Sequence, residues 1–236
     1  MLQLRNFTSA RVGLGAAGIS LPTCEVLAFQ LAHARARDAV HAELDIPALA
    51  RELGDFVTAH SEAHDRATYL RRPDLGRRLD TESRRRMEEK SGQFDVGFVI
   101  ADGLSAQAVQ RHVPRILELV LPELKAEAWR IAPLVVVQQG RVAIGDEIGQ
   151  ILGADLAVIL IGERPGLSSP DSLGIYLTWQ PQPGRTDAER NCISNIHADG
   201  LSYPAALHRL VFLLTESRRR RLSGVRLREE SNALAQ

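Results

Sequence analysis

GRVAIGDEIGQILGADLAVILIGERPGL, residues 140–167, sets the architecture expected of this chain. It opens as a loop and passes into a short helix over Asp146 to Leu152. An apolar run from Leu156 to Ile161 follows and stops at Gly162-Glu163-Arg164-Pro165-Gly166. An apolar run without polar alternation suits a strand covered on both faces, the habit of parallel sheets. Open α/β sheets collect ligands outside the carboxyl ends of such strands, so the charged, Gly/Pro-punctuated loop marks a candidate binding edge. A similar loop ends at Val142. Asn191-Cys192-Ile193-Ser194-Asn195-Ile196-His197 reads as a third loop converging on that edge.

Outward from there, Asp95 to Ala101 is short, apolar and β-branched, and it ends in Asp102-Gly103-Leu104-Ser105 before a helical pattern. That is a strand, a turn and a helix N-terminus, whose free N–H groups suit a phosphate or an amide. Asp102 and Ser105 are read either as ligand contacts or as caps, since both residue types commonly cap helices. Val113, Ile116, Leu117, Val120 and Leu124 follow at helical spacing, and Pro114 and Pro122 predict a break or kink there. Leu134 to Gln138 is a further strand, and Leu173 to Trp179 another, closed by Pro181 and Pro183. Leu207, Leu210, Val211 and Leu214 form the apolar stripe of a last helix, whose Arg-rich end suits a C-terminus. Strands alternating with helices imply the α/β class, with a Rossmann-like, mostly parallel sheet flanked by helices and right-handed crossovers.

The N-terminal part reads differently. Leu4 to Pro22 is an extended arm or irregular loop; Gly13, Gly15 and Gly18 match GxGxxG by count, but no strand precedes them and Pro22 follows, so no dinucleotide fingerprint is assigned. A helix begins near Thr23 and runs to about Leu44. His60 and His64 are read as a solvated helical pair, because the glutamate of HExxH is missing. Arg71-Arg72-Pro73-Asp74-Leu75-Gly76-Arg77-Arg78 is a loop whose arginines suit an anionic ligand or a partner surface, and a charged helix follows to about Lys90. The expected division is therefore an arm and all-helical segment over residues 1–92 and a Rossmann-like binding domain over residues 93–236.

With 236 residues, 44% of them hydrophobic, the chain can bury a sizeable core. Lys+Arg and Asp+Glu balance at 29 each, so no global field draws it to nucleic acid or an acidic membrane. The arginine clusters at 84–86 and 218–221 adjoin acids and read as solvated faces or subunit contacts. Two distant cysteines, Cys24 and Cys192, make neither a disulfide framework nor a zinc site. Without a signal-peptide pattern, a reduced, cytoplasmic setting is expected. No apolar run approaches the roughly 20 residues of a membrane span. Walker A, GxSxG and CxxC motifs are absent. Cys192 and His197 lie too loosely spaced to define a nucleophile and base, so Cys192 reads as a structural or binding thiol. Glu163 is read either as a ligand's hydrogen-bond acceptor or as an ion-pair partner of Arg164.

Six segments, in order, also carry a family resemblance: TSARVGLG (8–15), YLRRPDLGRRL (69–79), VIADGLSAQAV (99–109), GRVAIGDEIGQILGAD (140–155), IGERPGL (161–167) and RNCISNIHADGL (190–201). With their spacing, the chain resembles the small (light) subunit of adenosylcobalamin-dependent ethanolamine ammonia-lyase over nearly its whole length. The resemblance implies a larger, barrel-forming partner that supplies most of the ethanolamine site, cobalamin enclosed between the two, and a higher hetero-oligomer. It implies conversion of ethanolamine to acetaldehyde and ammonia, started by homolysis of the cobalt–carbon bond, with the protein supplying position, electrostatics and exclusion of water. It carries cobalamin contacts onto Val142, Glu163 and Cys192, and assigns this chain no catalytic or metal-ligating residue. Asp102, Ser105 and Asn195 are further candidates from the loop argument alone.

The chain lacks the Asp-x-His-x-x-Gly pattern by which other cobalamin enzymes supply a histidine below cobalt, so the cofactor is expected to keep its own dimethylbenzimidazole. Many bacterial members carry an N-terminal extension ahead of the region matching Thr8, thought in some to direct the enzyme to a protein-shelled microcompartment. This sequence starts close to that region, so a cytoplasmic location is the expectation and a microcompartment stays open. Two other readings stand beside the family one: a stand-alone Rossmann-like module for a nucleotide or phosphate ligand, and a purely structural assembly subunit.

Overall fold

The structure is a computed structural model that describes residues 10–227. The part of the arm from Leu4 to Ser9 and the chain beyond residue 227 lie outside it. Its centre is a six-stranded sheet built from β1 (Val57–His60), β2 (Phe94–Ala101), β3 (Val135–Gln138), β4 (Ala154–Gly162), β5 (Leu173–Trp179) and β6 (Arg190–Ile196), in the spatial order β1-β3-β2-β4-β5-β6. The first four run parallel, β5 lies antiparallel to β4, and β6 antiparallel to β5.

Alternation along the strands divides the core in two. Val96, Phe98 and Ile100 of β2 and Leu156, Val158 and Leu160 of β4 face the helices α5 (Ala106–Ala126) and α7 (Tyr203–Arg220). Val99, Ala101, Ile159 and Ile161 face the other way, toward α4 (Thr81–Glu88) and α6 (Ile144–Leu152). Both faces of β2 and β4 are therefore covered, which is why these strands are apolar at nearly every position. The helix after β2 goes to one face and the helix after β3 to the other, and the two connections part at the carboxyl edge to open a crevice.

Three expectations need correction. The N-terminal segment is not all helical. Besides α1 (Thr23–His41), α2 (Ile46–Leu53), α3 (Arg66–Arg71) and α4, it contributes β1, which pairs in parallel with β3 across the 92/93 boundary. His60 is consequently a strand residue and His64 lies in the loop before α3, so they form no helical pair. A four-residue strand, Val-Thr-Ala-His, lies below the length at which alternation is readable, and its identity comes from its neighbour.

β5 does not extend the parallel array. Only residues 163–172, with no helix among them, separate β4 from β5, whereas a parallel neighbour needs a crossover of a dozen or more residues. Helix α5 runs unbroken through Pro114 and Pro122. Both prolines lie off its fully buried face, where the freed carbonyls can tilt outward, while Val113, Ile116, Leu117, Val120 and Leu124 hold the helix to the sheet. Finally, Arg190–Ile196 is a strand, not a loop. Ile193 pairs with Ile175 and Ile196 with Leu173, and the extra residue on β6 is absorbed as a bulge with Asn195 at φ 65°. Among the described residues, no helix is long and apolar enough to cross a membrane.

Candidate functional site

The crevice edge is assembled by tight backbone contacts. Gly103, at φ 59°, and Gly162 bring the turn after β2 against the end of β4; a Cβ on Gly103 would stand 2.2 Å from the Gly162 carbonyl oxygen, and one on Gly162 2.0 Å from that of Ser105. Only glycine permits that approach. Asp102, buried, reaches across to the next strand's loop and accepts hydrogen bonds from the N–H groups of Gln139 (2.9 Å) and Gly140 (3.1 Å). Burial pushes its carboxyl above the ordinary range, against those N–H donors and the Arg66 guanidinium 3.9 Å away. Asp102 thus positions the Gln139–Val142 loop. Ser105 is the N-cap of α5, accepting from Ala108 N–H at 3.3 Å, and its hydroxyl donates to the Pro170 carbonyl at 2.8 Å, tying down the loop after β4.

Tyr69 of α3 completes the floor. It is buried, donates to the Gly140 carbonyl at 3.1 Å, and its ring lies between the guanidiniums of Arg66 (4.8 Å) and Arg141 (4.3 Å). Burial, followed by the nearby Asp102 charge, pushes its phenol up to about 12, so it remains a neutral hydrogen-bond donor.

These pieces enclose an open pocket of about 420 Å³, walled by Tyr69, Gly103, Arg141, Val142, Glu163 and Tyr176 among others. Val142 and Glu163, far apart in sequence, thus share one cavity. Glu163 makes no ion pair with Arg164. Its Oε2 accepts from the Ser172 hydroxyl (2.5 Å) and the Asn195 N–H (3.2 Å), while Oε1 has no hydrogen-bond donor among the described residues. Asn195 therefore acts through its backbone on Glu163, and its side-chain oxygen pairs with His197 Nε2 at 2.8 Å.

Cys192 does not line this pocket. It sits on β6 opposite Tyr176, which is itself part of the pocket wall. Cys192 is exposed as a residue; partial burial of its thiol raises the pKa and the Glu163 charge raises it further, with the Tyr176 and Ser194 side chains opposing. Tyr176 is raised by burial and then by Cys192 and Glu163. The candidate trio is therefore brought together around Tyr176: Val142 and Glu163 in the wall, Cys192 behind it.

Tyr69, Arg141 and Tyr176 were missed as individual site residues. Two of the three are tyrosines in a chain that has only three, and a scarce amphipathic ring beside a loop was the available signal. In chemical terms the pocket wall carries a carboxylate, Glu163, whose Oε1 meets no donor among the described residues, and a guanidinium, Arg141, that meets no carboxylate among them. A primary amide both donates and accepts, so amide-bearing groups fit this pair.

The chain has a Rossmann-like α/β architecture with a polar crevice at the carboxyl ends of its parallel strands, the place where doubly wound proteins usually hold ligands. Comparison with known proteins narrows this class. A family model described as ethanolamine ammonia-lyase light chain matches residues 1–228. The chain is 55% identical over 242 residues to the ethanolamine ammonia-lyase small subunit of Pseudomonas aeruginosa (strain PAO1), covering 99% of this chain and 89% of that one. It is 56% identical to the subunit of the same description from Azotobacter vinelandii, covering 97% and 88%, and 51% identical to that of Pseudomonas syringae pv. tomato, covering 98% and 83%. The chain belongs to the ethanolamine ammonia-lyase light-chain family.

Proposed function

We propose that this chain is the cobalamin-binding small subunit of an ethanolamine ammonia-lyase, acting with a large subunit that carries most of the substrate site. The observation that carries the cofactor reading is Glu163 in the wall of the Val142 pocket: its Oε2 is fixed by Ser172 and Asn195 while Oε1 has no hydrogen-bond partner among the described residues. A carboxylate with one oxygen anchored and one free is a preorganised acceptor for the N–H₂ of a corrin acetamide or propionamide arm. The Arg141 guanidinium offers the complementary donor, and Val142 lets an apolar rim approach closely.

A pocket of about 420 Å³ open to solvent takes one edge of a macrocycle, which supports a cofactor shared with a second subunit. Residues between Gly103 and Tyr176 line this edge, with Tyr69 added from the N-terminal side. When bound, adenosylcobalamin supplies the organic radical that starts conversion of ethanolamine to acetaldehyde and ammonia. The residues here bind and orient. Asp102 and Tyr69 hold the Gly140–Val142 loop, Ser105 holds the loop that carries Glu163, and Tyr176 sets the distance between Glu163 and Cys192. A cytoplasmic hetero-oligomer with no catalytic residue in this chain is the corresponding assembly.

The test is a cobalamin titration, followed by visible absorbance, of the chain co-purified with its large partner. Glu163→Ala is expected to raise Kd about tenfold or more, the worth of one charge-assisted hydrogen bond, with little change in Tm. An unchanged Kd removes Glu163 from the site. The isolated chain is expected to show no lyase activity, restored on co-expression with the large subunit; turnover by the isolated chain overturns the division of labour.

A further inference from the structure

Beside the Glu163 pocket, and sharing Arg141 and Val142 with it, lies a second cavity of about 480 Å³ walled by Pro73, Arg77, Arg141, Ala143, Arg185, Asp187 and Arg190 among others. Four of its wall residues are arginines and one is an acid. The arginines differ in how far they are already neutralised. Arg185 pairs with Glu189 at 2.5 Å, and Arg190 pairs with buried Asp146 and, at 3.3 Å, with Asp187. Arg77 has no side-chain hydrogen bond or ion pair among the described residues, and Arg141 meets only the Tyr69 carbonyl (3.0 Å) and ring, with no carboxylate.

Two guanidiniums without a counter-anion therefore face one cavity, and the site holds further unspent donors. Arg190, with its side chain 3% exposed, keeps a buried Nε without a partner, as does Arg141. The backbone N–H groups of Val142 and Ala143 donate to no described residue, whereas those of Ile144, Gly145 and Asp146 are satisfied by the turn that starts α6. Two guanidiniums without a carboxylate partner, beside two unspent backbone donors, make the cavity suited to an acceptor with several oxygens.

The geometry points to a phosphate-binding subsite formed by Arg77, Arg141, Arg185, Arg190 and the Val142–Ala143 backbone, which takes a phosphate mono- or diester lying next to whatever fills the Glu163 pocket. Guanidinium forks match phosphate oxygens, and N–H groups ahead of a helix add to the positive field. This gives one arginine of the Arg71–Arg78 turn a role: Arg72 is tied to Asp74, whereas Arg77 is presented to the cavity. The phosphate has two possible sources: the phosphodiester in the nucleotide tail of cobalamin, which rests on the cofactor reading above, or a separate phosphate-bearing ligand, which does not.

The test uses the full chain together with its large partner, as wild type and as Arg77→Ala. Arg77 is exposed and its side chain is unpartnered among the described residues, so folding is preserved. Three probes are titrated: cobinamide, which lacks the tail phosphate, cobinamide phosphate, and sodium pyrophosphate. If the cofactor supplies the phosphate, wild type binds cobinamide phosphate about tenfold or more tighter than cobinamide. Arg77→Ala then cuts that ratio below about threefold while leaving cobinamide affinity unchanged. If a separate ligand supplies it, the ratio is near unity in both proteins and pyrophosphate binding weakens about tenfold in Arg77→Ala. Binding of pyrophosphate that depends on Arg77 while neither corrinoid binds sinks the cobalamin reading and leaves the anion site standing. The site itself is overturned by a corrinoid preference that Arg77→Ala leaves intact, or by a ratio near unity combined with pyrophosphate binding that is absent or equal in the two proteins.

Discussion

Replacing Asp102 by alanine tests the view that the binding edge is held by a buried carboxylate. The side chain is 4% exposed as a residue and accepts from Gln139 N–H and Gly140 N–H at 2.9 and 3.1 Å. Removing both acceptor oxygens leaves two buried donors unpaired, at about 1–3 kcal/mol each. Arg66 loses a carboxylate 3.9 Å away but keeps the carbonyls of Val40 (2.6 Å) and Gly103 (2.8 Å), so it adds little to the loss. The volume vacated beside the loop admits water that recovers part of this, and the expected net loss is about 3 kcal/mol, a large share of the roughly 5–15 kcal/mol that holds a domain folded. Asp102→Asn keeps one acceptor and sets an N–H₂ against the second donor, so it should lose about half as much. Urea denaturation of the two variants and the wild type reads these differences directly. Because the loop from Gln139 to Val142 is what the carboxylate holds, Asp102→Ala should also weaken cobalamin binding in the assembled enzyme without any direct contact. A loss below about 1 kcal/mol for the alanine variant, or equal losses for both, would refute the latch.

Other expectations are simpler to check. Gly162→Ala puts a Cβ 2.0 Å from the Ser105 carbonyl oxygen and 2.7 Å from that of Asp102, both backbone atoms that cannot swing aside, whereas Gly166→Ala meets nothing nearer than 3.8 Å. The first should therefore cost about 3 kcal/mol or fail to fold, and the second less than about 1; similar melting temperatures for the pair would contradict the packing argument. His112, held between the Tyr203 hydroxyl (2.7 Å) and the Asp171 carbonyl (2.9 Å), has its pKa lowered by burial, with Asp171 opposing and Arg111 and His197 assisting. The unfolded chain then binds the proton first, so this residue's contribution is complete above its unfolded value of 6.5 and is lost as pH falls below it. Melting temperature should rise from about pH 5 to pH 7 in the wild type, and less steeply in His112→Gln; parallel curves would count against it. The raised Cys192 thiol should be alkylated by iodoacetamide more slowly at pH 7.5 than a free peptide thiol, and faster as pH rises, with cobalamin protecting it in the complex. Reaction at the peptide rate would contradict the raised thiol.

Local chemistry and periodicity in the sequence determined much of this protein: the apolar runs of β2, β3, β4 and β5, the stripes of α5 and α7, the turn residues at Gly103 and Gly162, and the placing of Val142 and Glu163 beside loops at the carboxyl ends of strands. Each is a short-range signal, because burial on both faces, helical spacing and glycine turns leave their mark within a few neighbouring residues. What only the tertiary structure decided lies where a residue's role depends on a partner distant in sequence. Val57–His60 became a strand because β3 offered it an edge, β5 turned antiparallel because residues 163–172 are too few for a crossover, and Arg190–Ile196 became a strand by pairing with β5. Whether Glu163 paired with Arg164 or kept an oxygen free, and whether Asp102 touched a ligand or latched the next loop, was open from residue type alone. Ser172, Asn195, Gln139 and Gly140 settled both by arriving from other elements. Hydrogen-bond satisfaction inside a folded chain is a property of the assembled neighbourhood, and no window of sequence contains it.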